Sequence, residues 1–302
     1  MSELAISVQG LRKRYGGQEA VRGIDLQVAA GEVFAFLGPN GAGKTTTVEI
    51  LEGYRARDAG QVEVLGVDPA AADRAWRARI GVVLQSGQTQ PALTVRETIE
   101  QFAGYYPSPR PVQEAIEMVG LTEQATVRVR RLSGGQRRRL DVALGLVGDP
   151  EVLFLDEPTT GFDPAARRNA WRTIGGLRQL GTTIFLTTHY IEEAQELADR
   201  VAIIVAGRIV AEGPPAELLA RGRRELQVSF QLPQGLTAAD LPAGLDGELA
   251  VRGDRVELRT PTPVHALNLL TGWALQRGVD LPELEARRGR LEDVYLELTE
   301  GG

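Results

Sequence analysis

The stretch Gly31–Gly53, GEVFAFLGPNGAGKTTTVEILEG, decides the fold. Val33–Leu37 is a short apolar run of strand length. Glycines follow, and Val48, Ile50 and Leu51 then set a helical pattern that Gly53 stops. Inside it, Gly38–Thr45 (GPNGAGKT) has the form G-x-x-x-x-G-K-[ST]. Glycines at 38, 41 and 43 let the backbone around Pro39, Asn40 and Ala42 curl about phosphate oxygens. Lys44 brings charge to the β and γ phosphates, and Thr45, with Thr46 behind it, offers a hydroxyl to Mg²⁺. The helix that follows aims its positive end at the same anion. A strand before the loop and a helix after it are the context this chemistry requires, so a chance glycine loop is the weaker reading.

Outward from the loop, other strand-like runs appear. Ile80–Gln85 (IGVVLQ), Val152–Pro158 (VLFLDEP) and Thr182–His189 (TTIFLTTH) read as strands buried on both faces. Between the last two, Asp163 is a good N-cap, Pro164 fits the first helical position, and Gly181 is a C-terminal stop. Alternating strands and helices predict an α/β core with a parallel sheet. The stretch from about 86 to 149 reads instead as a helical insert. Thr94–Glu97 and Ser133–Gln136 both have capping-box form, the second ahead of Leu140, Ala143, Leu144 and Val147 at helical spacing. Val201–Gly213 reads as a strand pair turning at Ala206-Gly207. Past Pro214-Pro215 and the basic Arg221–Arg224, the tail shows two strand-like runs, a helical Pro263–Gly278, and a last helix face of Leu291, Val294, Tyr295 and Leu298. The predicted domains are 1–220, with the insert, and a small α+β domain over 221–302.

Bulk composition narrows the function classes. The 302 residues are 43% hydrophobic and 25% charged, with a formal net charge of -6. That is ordinary for a globular chain and a poor prior for general nucleic-acid binding. The sequence has no cysteine, which excludes disulfides and thiolate metal sites, and its two histidines, His189 and His265, leave little for a histidine metal site. Neither a signal-peptide h-region nor a membrane-spanning run is visible, so the chain is expected to be soluble and intracellular, with any membrane role supplied by a partner.

Chemistry concentrates at two further places. Asp156 ends an apolar strand, placed to order a Mg²⁺ shell, and Glu157 beside it can orient and deprotonate an attacking water. Taken alone, two acids at a strand end are more often just exposed carboxylates; the phosphate loop upstream changes that balance. The second place is Val127–Leu140, VRVRRLSGGQRRRL. Ser133 caps a helix whose first amides Gly134 and Gly135 leave bare, with Gln136 completing the box; this is an anion site. The arginines around it are expected mostly to solvate the helix. No aromatic side chain is interleaved with them, which speaks against a single-strand nucleic-acid platform.

These motifs, in this order, resemble the nucleotide-binding subunit of ABC transporters over roughly residues 4–220. Gln85 fits the Q-loop, Gly161–Asp163 (GFD) the D-loop, His189 the switch histidine, and Tyr15 the aromatic that stacks on adenine. Phe162 departs from the commoner Leu and leaves Asp163 in place. Each of Tyr15, Gln85 and His189 is weak evidence singly; the ordered set gives them weight.

The resemblance implies an ABC-type P-loop fold with an antiparallel β subdomain and a helical insert, and a Mg²⁺-dependent ATPase. It implies Thr45, Gln85 and Asp156 toward the metal, Glu157 and His189 toward the γ-phosphate, and Asp163 and the Ser133–Gln136 stretch toward the nucleotide of a partner protomer. Two copies, or this chain and a homologue, would pair head to tail and drive a separate membrane permease from the inner face of the cell membrane. With Arg290–Glu300 (RLEDVYLELTE), the tail resembles ATPase subunits of bacterial drug, antibiotic or natural-product exporters. The alternative is a soluble ABC protein acting on ribosomes or DNA; those usually carry two motif sets or a coiled-coil insert, and neither is present here.

Overall fold

The computed structural model describes residues 3–84, 90–178, 181–221 and 226–288. Contacts divide the chain into two compact units, Met1–Pro215 and Ala216–Gly302.

The first unit begins with β1 (Leu4–Tyr15) and β2 (Gln18–Ala29), an antiparallel pair. β3 (Val33–Leu37) is next, buried at every position, and the phosphate loop leads from it into α1 (Lys44–Leu51). β4 (Ala59–Val64) returns to pair with β1, giving a three-stranded antiparallel sheet of order β2-β1-β4. After α2 (Arg74–Arg77) comes β5 (Ile80–Val83). The ladder stops there, so the strand is shorter than the expected Ile80–Gln85, and Gln85 lies outside the described residues.

The predicted insert is helical: α3 (Val95–Ala103), α4 (Val112–Met118) and α5 (Gly134–Leu146), with two short 3-10 turns between α4 and α5. Thr94 and Ser133 cap α3 and α5 in reciprocal boxes, the Ser133 amide donating to Gln136 Oε1 at 2.9 Å and the Gln136 amide to Ser133 Oγ at 3.2 Å. The chain then runs through β6 (Val152–Asp156), α6 (Pro164–Arg178), β7 (Thr183–Thr188), α7 (Ile191–Leu197), β8 (Arg200–Val205) and β9 (Arg208–Gly213). Asp163 caps α6 as predicted, its Oδ1 accepting from the amides of Ala165 and Ala166.

The central sheet has the order β5-β6-β7-β3-β8-β9, parallel except for the final β8–β9 pair. Its middle strands are apolar at consecutive positions because side chains on both faces are covered. Phe34, Phe36 and Phe154 each pack against Phe185, with ring centroids 5.5–5.9 Å apart. This rigid sheet presents the ends of β3, β6 and β7 along one edge, which is where ligands bind in open α/β sheets.

α8 (Pro215–Arg221) leads to the second unit, a four-stranded antiparallel sheet of order β11-β12-β10-β13. β10 (Leu226–Gln231) and β12 (Arg255–Thr260) are the two predicted strands. α9 (Pro263–Arg277) packs Ala266, Leu270 and Ala274 against Val228, Phe230, Val256 and Leu258. The sequence reading missed β11 (Glu248–Arg252) and β13 (Glu285–Arg288). Both are edge strands, and β11 is largely exposed, so neither had to carry an apolar alternation. The expected helix face of Leu291, Val294, Tyr295 and Leu298 lies outside the described residues.

Candidate nucleotide site

The loop Gly38–Gly43 is built so closely that two glycines have no substitute. A Cβ on Gly38 would stand 2.4 Å from the Ile204 carbonyl oxygen. One on Gly43 would stand 2.4 Å from that of Ala20, and Gly43 also has φ of 106°. Gly43 directly precedes α1, so the first amides of that helix face the loop. Pro39, Asn40, Gly41 and Ala42 form the bend between these two glycines, while Thr45 is exposed and Thr46 half-buried on the first turn of α1. The Tyr15 hydroxyl lies 3.5 Å from Thr46 Oγ1, which puts its exposed ring beside the loop.

Lys44 is buried, its ammonium donating to the carbonyl oxygens of Gly38 at 2.8 Å and Pro39 at 3.3 Å. Glu157 Oε1 stands 3.4 Å from Lys44 Nζ. The other carboxylate oxygen of Glu157 accepts from Thr160 Oγ1 at 3.0 Å and lies 3.2 Å from His189 Nδ1. That nitrogen has no aligned hydrogen-bond partner, so it approaches the carboxylate without bonding it. Burial pulls the Lys44 ammonium below the ordinary lysine range, against the opposing pull of Glu157. Burial would raise the Glu157 carboxyl, but the Thr160 hydroxyl, Lys44 and His189 outweigh it and hold Glu157 below the usual carboxylate range. A half-buried base kept ionised beside a cation is suited to act on a water molecule.

The backbone at this turn is unusual. Glu157 has φ of 46°, the left-handed region that a side-chain-bearing residue rarely enters. Its amide donates to Thr187 Oγ1 at 3.0 Å and to the Thr187 carbonyl at 3.2 Å. Asp156, the last residue of β6, accepts from Thr187 Oγ1 at 2.5 Å.

The Ser133 cap sits elsewhere on the unit. Ser133, Gly134, Gly135 and Gln136 line a hollow of about 670 Å³ together with Thr160, Gly161, Phe162 and Asp163. Neither Lys44 nor Glu157 lines it. As expected, most of the arginines around the cap are exposed (Arg128, Arg130, Arg131 and Arg137), and Arg138 is the exception. Arg137 reaches the Val129 carbonyl and Arg139 that of Gly120. Arg138 is buried and donates to the carbonyl oxygens of Leu84, Asp156 and Pro158.

Residues the sequence reading missed are Arg138, Thr160 and Thr187. Only Thr160 carried a signal, since it lies three residues after Glu157. The other two are far in sequence from the groups they hold.

A family model described as ABC transporter matches residues 21–160, and one for the C-terminal domain of ABC transporter domain-containing-like proteins matches 227–289. The daunorubicin resistance ATP-binding protein DrrA3 of Streptomyces coeruleorubidus is 40% identical over 307 residues, covering 99% of this chain and 97% of the relative. The chain belongs to the ABC transporter ATP-binding family. The Nod factor export ATP-binding protein I of Paraburkholderia xenovorans is also 40% identical, covering 99% of this ABC chain and 98% of the relative. A dimeric post-hydrolysis structure of the ATP-binding cassette MJ0796, bound to ADP and Pi, matches with a TM-score of 0.61 at 24% identity. It covers 69% of this chain and 98% of that one, and shows the ABC cassette fold. The protein is thus an ATP-binding subunit of an ABC transporter, in a family of ATPases. None of the described helices is long and apolar enough to cross a membrane.

Proposed function

We propose that this subunit hydrolyses Mg²⁺·ATP at two composite sites of a head-to-tail dimer and thereby drives a separate membrane permease that exports a drug, antibiotic or natural product. The convergence of Lys44, Glu157 and His189 carries the reading. Lys44 and the α1 amides bind the phosphates, and Tyr15 stacks on the base. Glu157 takes a proton from the attacking water, and His189 donates to the γ-phosphate until it leaves. Thr45 and Asp156 are oxygen donors of the kind Mg²⁺ prefers, and Gln85 is assigned with them. When bound, the ion would neutralise charge on the β and γ phosphates.

The second half of each site comes from the partner copy. Support comes from the separate hollow at Ser133–Gln136, which offers bare helix amides and Asp163 without any phosphate-loop residue. The matched MJ0796 cassette is itself dimeric. Residues 1–220 form the nucleotide-binding domain and 221–302 an accessory domain. The relatives' names, daunorubicin resistance and Nod factor export, support the outward direction. The permease would hold the subunit on the inner face of the cell membrane.

Mixing two disabled chains tests the trans site. Ser133→Arg spoils the cap, and Lys44→Ala spoils the phosphate loop. A mixed dimer has one composite site with both lesions and one with neither. Mixtures should regain ATPase activity and dimer closure that neither chain shows alone. Absence of both would refute head-to-tail pairing.

A further inference from the structure

The Glu157 turn is held by a residue that no motif of the family reading includes. Thr187 is the penultimate residue of β7, opposite Asp156 in the parallel ladder, and is fully buried. Its hydroxyl lies 2.5 Å from Asp156 Oδ1 and 3.0 Å from the Glu157 amide nitrogen. The polarity of these two bonds is forced. A backbone N–H only donates, so Thr187 Oγ1 accepts from Glu157. The hydroxyl has one proton, and the Asp156 carboxylate takes it.

We propose that Thr187 is a positioning residue for hydrolysis: its one hydroxyl fixes the Asp156 side chain and the Glu157 backbone in a common frame. The inference rests on the roles given above to Asp156 and Glu157. Glu157 occupies the left-handed region, and such a conformation persists only where the surroundings over-determine it. Those surroundings are visible. On one side Thr187 holds the Glu157 amide with both its hydroxyl and its carbonyl. On the other, Arg138 holds the carbonyl oxygens of Asp156 and Pro158, each at 3.0 Å. Held so, the Glu157 carboxylate reaches Lys44, Thr160 and His189.

His189 follows Thr187 by two residues on the same chain segment. The end of β7 therefore sets the Glu157 backbone through Thr187 and faces its carboxylate through His189. Valine has the shape and strand preference of threonine but can make neither bond. It would leave Asp156 Oδ1 without this donor and the Glu157 amide with the strand carbonyl alone. Removing the hydroxyl should therefore change geometry at the reacting water more than it changes binding of ATP, which the loop of Lys44 performs.

The test is steady-state ATPase of the full chain as wild type, Thr187→Val and Thr187→Ser. Thr98→Val, which removes another buried threonine hydroxyl from α3, serves as the structural control. A small misplacement at a reacting centre can cost about 100-fold, so Thr187→Val should lose about 10- to 100-fold in kcat. Its KM for ATP should stay within about threefold, because uniform binding is untouched. The Mg²⁺ concentration giving half-maximal rate should rise, since Asp156 loses its anchor. Thr187→Ser restores the hydroxyl and should restore kcat; Thr98→Val should keep kcat even if its melting midpoint falls. Should Thr187→Val fail to fold, Thr187→Ala, which also can make neither bond, takes its place with the same expectations. Wild-type kcat in the hydroxyl-free variant, no rescue by serine, or an equal kcat loss in Thr98→Val overturns the proposal. An inactive wild type would instead bring down the ATPase reading itself, and this inference with it.

Discussion

The guanidinium of Arg138 donates to the main-chain oxygen of Asp156 at 3.0 Å, joining the helix behind the Ser133 cap to the end of the strand that carries Asp156. The same side chain serves the carbonyls of Pro158 and Leu84, so one buried cation satisfies three acceptors on two segments. Arg138→Met keeps the apolar stem and strands all three. Leaving a buried acceptor without its hydrogen-bond donor costs about 1–3 kcal/mol. The urea midpoint of Arg138→Met should fall with the slope unchanged. A midpoint equal to wild type would mean these bonds contribute nothing net.

Glu157→Gln should bind ATP and turn it over slowly. General-base assistance is worth about 10²–10⁴-fold in rate, and the amide cannot supply it. Lys44 retains its contacts to the Gly38 and Pro39 carbonyls in this variant, so ATP affinity should hold while kcat drops. Fluorescent-nucleotide titration and phosphate release measure the two separately. Undiminished phosphate release would remove Glu157 from the role of base.

Gly43→Ala should abolish ATP binding. The added methyl would meet the Ala20 carbonyl oxygen at 2.4 Å, and φ of 106° is closed to alanine. Gly41→Ala differs, because no atom lies within 4 Å of its Cβ, although its φ of 80° still strains the backbone. Titration should show the larger loss at position 43. The reverse order would mean that the loop tolerates the clash.

Glu52, at the end of α1, should make stability depend on pH. Burial first, then the Asp156 and Glu49 carboxylates, push its carboxyl up to about 8 from the model-compound value of 4.5. The folded chain therefore keeps a proton that the unfolded chain has released between those values. The resulting stability is fully present below 4.5 and is lost as pH rises through about 8. Glu52→Gln stays neutral throughout. It should match wild type near pH 5 and gain up to about 1.4 kcal/mol per pH unit toward pH 8. Urea melts at both pH values in EDTA read this; a constant difference between the chains would exclude the titration of Glu52 as its source.

What the sequence determined by itself was local. The phosphate loop is legible because glycines, lysine and threonine all fall within Gly38–Thr45, between a strand and a helix whose periods differ. The boxes at Thr94 and Ser133 are legible because a cap bonds three residues ahead. Asp156 and Glu157 are neighbours, and the apolar run before them marks a strand end. The middle of the central sheet was readable for a related reason: strands covered on both faces must be apolar at successive positions.

What only the tertiary structure decided was which distant groups meet. Thr187 lies 31 residues from Asp156, and Arg138 lies 54 from Leu84. In sequence the first is one more threonine in a β-branched run, and the second one more arginine in a basic patch. Adjacency of β6 and β7 makes the threonine a clamp on both carboxylate-bearing residues. Burial beneath the Ser133 helix turns the arginine inward, because a charge removed from water must find acceptors. The left-handed turn at Glu157 likewise has no sequence signature, since it is imposed by bonds to residues that only the folded sheet brings alongside.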